Sequence, residues 1–258
     1  MSGIEEAEGL AAFERASAAH APILRDLATA AIRESRRVIQ SSNAVFWLEL
    51  EAADPFDATR LMRAIYKPMR GERPLWDFPD GTLHLREAAA HVVDAALGFA
   101  IVPPTGLRNG PHGPGSVQLF VDAIERELTA ADQESVQPAL RTVAALDVLL
   151  NNADRKGAHL LVTVQGLRAI DNALSFLPYP RQRTVLIELG GSRIPDDTAT
   201  AITALAGDGA RRHALLARLR MLLADDEVIA FAARLDHLAE HPVYPELDPF
   251  DGRPFEMW

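Results

Sequence analysis

The hydrophobic pattern changes character near Val121, and this most constrains the fold. Before it, short apolar runs rich in β-branched and aromatic residues alternate with turn-forming loops, interrupted by one helical stretch. After it, apolar residues recur at helical spacing, broken only by one hairpin-like segment. In "RRVIQSSNAVFWLELEA" two strand-like runs flank the turn Ser41-Ser42-Asn43. "RLMRAIYK" reads as a third strand ended by Pro68, which has no N–H to give to a ladder. Residues 36–67 are thus expected to form a three-stranded antiparallel meander. Residues 9–35, rich in Ala, Leu, Arg and Glu, are expected to form one or two helices.

The stretch 68–82 is rich in proline, glycine and charge and reads as a long loop. "LHLREAAAHVVDAALG" reads as a helix stopped by Gly98. Next come a short strand, a Pro/Gly-rich turn region and a second strand over 116–121. Residues 134–150 and 196–240 are expected to be helical, and the proline-rich tail irregular. The chain therefore reads as an α+β protein of two lobes. A strand-rich N-lobe (1–121) holds helices, an antiparallel sheet and one lobe helix. A mostly helical C-lobe (122–258) follows, and a cleft between two such lobes is a place for a ligand.

Composition narrows the class of function. At 258 residues, 48% hydrophobic and 24% charged, the chain can bury a full core. A net charge of -10 argues against a general nucleic-acid binder. The absence of cysteine excludes disulfides, thiolate metal sites and thiol nucleophiles. The acidic start "MSGIEEAEGL" is unlike a signal peptide, and no apolar run is long enough for a membrane helix, so a cytoplasmic protein without an integral membrane segment is expected.

The stretch "NNADRKGAHLLVTVQGLRAIDNALSF" concentrates Asp154, Lys156, His159 and Asp171 around an expected hairpin. With Gln165-Gly166 as a two-residue loop, Leu160 would pair with Asp171. His159 approaches Asp171 only if it lies in a loop outside the pleat. The spacing follows phosphoryl-transfer logic: a catalytic aspartate, a metal ligand five positions on, and a second metal-binding aspartate further along. Asp154, His159 and Asp171 occupy those positions, and Lys156 supplies a cation for the transferring group. Upstream, the Ser41-Ser42-Asn43 amides could cover phosphates. Lys67 ends the third strand, and Glu87 lies on the following helix where it could pair with it.

Three stretches, "YKPMRGERPLWDFPDGTLHLREAAAHVVDAALG", "VPPTGLRNGPHGPGSVQLFVD" and "LDVLLNNADRKGAHLL" with "AIDNALSF", resemble the actinobacterial phosphatidylinositol 3-/4-kinase-related family. Its members are more distantly similar to type II phosphatidylinositol 4-kinases and HipA-type toxin kinases. "AIDNALSF" resembles the "IDNGLAF" metal-binding segment of the lipid kinases, and the likeness spans roughly residues 30–190. The resemblance implies an atypical protein-kinase-like fold with ATP between the lobes. Lys67 matches the phosphate lysine, Glu87 its helix partner, Asp154 the catalytic aspartate and Asp171 the metal-binding aspartate. Phe120 and Val121 match the hinge that would hold adenine through its backbone.

Three positions depart from the kinase pattern. His159 stands where asparagine is usual, Ala173 replaces a glycine, and the Ser41 turn lacks glycines. With His159 and Asp171 as metal ligands, the imidazole makes Mn²⁺ an alternative to Mg²⁺. The expected reaction is ATP-dependent phosphoryl transfer to an unidentified hydroxyl-bearing substrate, a protein Ser/Thr or a small molecule. A nucleotide-binding pseudokinase, AMP transfer on the same fold, and a metal hydrolase stay open beside it.

Overall fold

The computed structural model describes residues 20–39 and 43–254. A helix over residues 20–29 (α1) leads into five antiparallel strands: β1 (Ile32–Val38), β2 (Val45–Ala53), β3 (Leu61–Pro68), β4 (Thr105–Gly110) and β5 (Gly113–Leu119). Their order in the sheet is β1-β2-β3-β5-β4, with helix α2 (Leu83–Leu97) inserted between β3 and β4. Four more helices follow: α3 (Ala130–Leu150), α4 (Asp196–Gly207), α5 (Gly209–Leu219) and α6 (Asp225–Glu240). The hairpin β6 (Leu160–Thr163) and β7 (Gly166–Ala169) lies after α3. The architecture is α+β, with a strand-rich first part and a mainly helical second part. No helix among the described residues is long and apolar enough to cross a membrane.

Strand parity sets the use of the two sheet faces. Met62, Ala64 and Tyr66 of β3 pack with Leu48, Leu50, Val117 and Leu119, and Leu27 of α1 closes this core. The intervening residues point the other way, so Lys67 stands beside its register partner Ser116 on the opposite face. Glycine is required beside this pair. A Cβ on Gly115 would stand 2.7 Å from Pro68 Cα and 2.8 Å from the Tyr66 ring. Gly115→Ala is therefore expected to destabilise the protein by about 1–3 kcal/mol, measured as a lower urea midpoint at unchanged slope.

Helix α2 belongs to the main core as much as to the sheet. Its Ala89, Ala90, Val93 and Leu97 pack with α3, α4, α5 and α6 residues such as Leu146, Ile202, Leu215 and Phe231. Arg86, 1% exposed, reaches from α2 to Glu227 on α6 and to the Ser175 carbonyl. Glu72 serves as the α2 cap: its carboxylate accepts from the Leu83 and His84 amides at 3.2 and 2.8 Å. Gly98 ends the helix in the left-handed region at φ 74°.

Several boundaries differ from the sequence expectation. Residues 32–35 belong to β1, not to a helix, because α1 ends at 29 and the edge of the sheet recruits Ile32 opposite Leu50. The part of the expected helices before residue 20 lies outside the described residues, as do Ser41 and Ser42. The expected Pro/Gly-rich turn region is largely strand β4, and β5 spans Gly113–Leu119 instead of 116–121. There the glycines sit at a tight hairpin, with Gly113 at φ 97°. The later hairpin turns one residue earlier than expected. Its loop is Val164-Gln165, and Leu160 pairs with Ala169 rather than Asp171. The Thr163 hydroxyl accepts from the Gln165 amide and donates to the Gly166 carbonyl, closing the turn at that position.

Candidate active site

The cleft is built from β3, α2 and the loops on either side of the β6–β7 hairpin. Lys67 Nζ lies 2.9 Å from Glu87 Oε2 and 2.8 Å from Asp171 Oδ1, so three separate segments converge on one ammonium group. Burial opposes the lysine's charge, but the Asp171 and Glu87 carboxylates outweigh it and hold its pKa above the usual range. Lys67 in turn holds the Asp171 carboxyl well below the ordinary range, against burial. Glu87 is 1% exposed and uses its second oxygen to accept the Asn172 amide at 2.9 Å. One carboxylate on α2 thus ties the lysine to the segment that carries Asp171.

Asp171 sits in the left-handed region at φ 59°, a conformation aspartate tolerates better than most residues. Neighbouring bonds hold it there: Ile170 donates to the His159 carbonyl at 2.9 Å, and Arg155 donates to the Ile170 carbonyl at 2.8 Å. His159 ends a 3-10 turn over Gly157–His159, outside the pleat as its approach to Asp171 required. Its Nε2 lies 3.5 Å from Asp171 Oδ2. Burial lowers the imidazole pKa, so its neutral, ligand-competent form is favoured.

Asp154 and Lys156 pair with each other at 3.0 Å. Burial raises the Asp154 carboxyl despite the opposing pull of Lys156, and the charges of His159 and Asp171 also reach it. Asn43 and Ser116 line the same small cavity as Lys67, Glu87 and Asp171. Phe120 donates its amide to the Arg63 carbonyl at 2.9 Å, so a ligand there would meet the Phe120 carbonyl or the Val121 backbone. Among the described residues no group of three or more His, Cys, Asp or Glu side chains is arranged to hold a metal by itself. His159 Nε2 and Asp171 Oδ2 are nonetheless close enough to share one ion, which would need further oxygens from a ligand.

Sequence reasoning passed over the residues beneath this cleft. Arg155 and Asp147 are both fully buried and form a bidentate pair, with Arg155 Nε and Nη2 each 2.9 Å from an Asp147 oxygen. Arg155 also donates to the Asn172 side chain, and Asn152 donates to Asp147 at 3.0 Å. Asn152 then accepts the Asp154 amide at 3.0 Å. The one available signal was Asp147 itself, a carboxylate in line with Val143 and Leu150 on the apolar face of α3.

This fold is that of an atypical kinase. The Golgi casein kinase structure with Mn and ADP bound matches at TM-score 0.56 and 18% identity, over 86% of this chain and 74% of that one. The likeness shows the fold alone. The Helicobacter pylori proinflammatory kinase CtkA matches at TM-score 0.48 and 10% identity, over 85% of this chain and 94% of that one. No family model matches the chain. It is 35% identical over 247 residues to the Mycobacterium tuberculosis protein Rv2133c, covering 81% of this chain and 86% of the relative. The chain belongs to the family of that protein.

Proposed function

We propose that the protein is an ATP-dependent phosphotransferase acting on a hydroxyl group, with the division into lobes falling near Val121. The observation that carries this reading is the convergence of Lys67, Glu87 and Asp171 in a kinase fold. Lys67, positioned by Glu87, would grip nucleotide phosphates, and the Phe120–Val121 backbone and Asn43 would flank the nucleotide. His159 and Asp171 would hold Mg²⁺ or Mn²⁺, whose charge would offset that of the phosphates when bound. In support, the Golgi casein kinase structure was solved with Mn and ADP.

In the transfer step the Asp154 carboxylate takes the proton of the acceptor hydroxyl as its oxygen bonds to the terminal phosphorus. The bond from that phosphorus to the bridging oxygen of ADP breaks as the new one forms. The raised pKa of Asp154 suits a proton acceptor, and Lys156 at 3.0 Å supplies positive charge where the phosphoryl group passes. The resemblance to lipid kinases does not set the acceptor, because the sequence offers no polybasic stretch for an anionic membrane.

Lys67→Met tests the nucleotide site. It should weaken ADP binding in the presence of Mn²⁺ by roughly 10- to 100-fold, the worth of one charge-assisted hydrogen bond. Unchanged affinity by calorimetry, with the fold retained, sinks the site. A second reading is a nucleotide-binding module without turnover. The occupation of Asp154 by Lys156 favours it, and single-turnover ATP consumption separates the two.

A further inference from the structure

A second cavity, of about 740 Å³, lies between the end of α3, α6, residues 178–183 and the chain after Tyr244. It shares no wall residue with the nucleotide cavity, and its volume falls in the range of about 300–1,000 Å³ typical of small-molecule sites. Val148, Pro178, Ala230 and Leu247 belong to its largely apolar walls. Three arginines interrupt them, Arg181, Arg183 and Arg234, against two acids, Asp248 and Asp251.

Arg234 of α6 is held by two carbonyls: Nε donates to Leu149 at 2.9 Å and Nη1 to Leu177 at 3.3 Å. Its Nη2 is buried without a hydrogen-bond partner. Burial lowers its pKa to about 10, and no carboxylate among the described residues offsets that loss. At pH 7 the guanidinium is still charged. A charge withdrawn from water is costly unless a counter-charge meets it. The acids of the wall do not meet it. Asp248 turns its Oδ1 to the Phe250 and Asp251 amides at 2.8 and 3.0 Å. Arg183 Nε donates to the Asp251 carbonyl at 3.0 Å, and Arg181 faces Asp77 at 3.4 Å beneath the Trp76 ring. A cation without an acid therefore borders a cavity large enough to admit one.

We propose that this cavity binds a small organic anion, a carboxylate or phosphate monoester on an apolar body, with its charged end against Arg234. A planar guanidinium suits an acceptor with two oxygens, and the apolar walls take the body out of water. Such a ligand would rest on residues that support the catalytic loop. Arg181 donates its amide to Asn151 Oδ1 at 2.9 Å. Arg183 donates its amide to the Asn152 carbonyl at 2.9 Å, and its own carbonyl accepts the Arg155 amide at 3.0 Å. Occupation of the cavity therefore braces the stretch that carries Asp154, from the side away from the nucleotide.

The test is calorimetry on the full-length protein with three probes of one shape: 2-naphthoate, 2-naphthyl phosphate and the uncharged 2-naphthalenemethanol. At least one anion should bind, one per chain, and at least tenfold more tightly than the alcohol. The tighter anion identifies the charged group the site takes. Arg234→Met should erase the preference for the anion. Should that variant fail to fold by circular dichroism, Ala233→Trp, which fills the cavity from an exposed position on α6, carries the test and should abolish binding. Lys67→Met should bind the anion as wild type does, whether or not the protein transfers phosphate. Absence of saturable anion binding to wild type overturns the proposal, as does an alcohol that binds equally well. Retained preference in a folded Arg234→Met variant, retained binding in Ala233→Trp, or displacement of the probe by Mn²⁺ and ADP overturns it too. Binding that appears only once residues 255–258 are removed assigns the cavity to the chain's own tail and likewise overturns it.

Discussion

Asp154→Asn should lower phosphoryl transfer by about 10²- to 10⁴-fold while leaving metal–ADP affinity within about twofold, because a positioned base contributes on that scale and touches the acceptor, not the nucleotide. Stability provides the control. Burial raises the Asp154 pKa in the folded protein, so at neutral pH its charged form opposes folding. The neutral amide removes that cost, and the variant should melt no lower than wild type. An inactive protein that is as stable as its parent has lost chemistry rather than structure. In wild type, kcat should fall as pH drops through the raised carboxyl pKa and protonates the base. Asp171→Asn should fail differently, by removing the charged oxygen that faces both Lys67 and His159 and weakening metal–ADP binding itself. A turnover loss below about tenfold in Asp154→Asn removes the general-base assignment, and unaltered metal–ADP binding in Asp171→Asn removes the metal assignment.

The sequence was most legible where local chemistry and tertiary structure agree. Gly98 stops α2 because only an unhindered backbone takes φ 74° readily, and the meander of β1, β2 and β3 follows from alternating apolar runs around turn residues. The pairing of Lys67 with Glu87 was legible as well, since a lysine at a strand end and a carboxylate in the first turns of the next helix invite it. Where tertiary demands prevailed, local reading failed. Ile32 to Ser35 have neighbours of high helix propensity, yet the sheet edge takes them as strand. The hairpin register turned on whether Thr163 or Val164 precedes the loop, and that was decided by the Thr163 hydroxyl bonding across the turn. Arg155 stood hidden between Asp154 and Lys156, in a run that reads as a solvated loop.

That hidden arginine carries the largest expected effect on stability. Arg155→Met should cost about 3–5 kcal/mol, because it leaves the buried Asp147 carboxylate without its counter-charge in a site fully closed to water. Against a typical total of about 5–15 kcal/mol this brings the protein close to unfolding. The double variant Arg155→Met/Asp147→Leu should recover most of the loss, since removing both partners leaves no stranded charge. Recovery of stability should not bring recovery of the cleft. Arg155 also holds the Ile170 carbonyl and the Asn172 side chain, the two residues flanking Asp171. Without it two of the bonds that fix the residues flanking Asp171 are lost, and metal–ADP affinity should stay weakened in the refolded double variant. Urea midpoints and calorimetry on the four proteins of this cycle separate the two roles. A single variant that loses less than about 1 kcal/mol, or a double variant that binds metal–ADP like wild type, removes Arg155 from the positioning of the site.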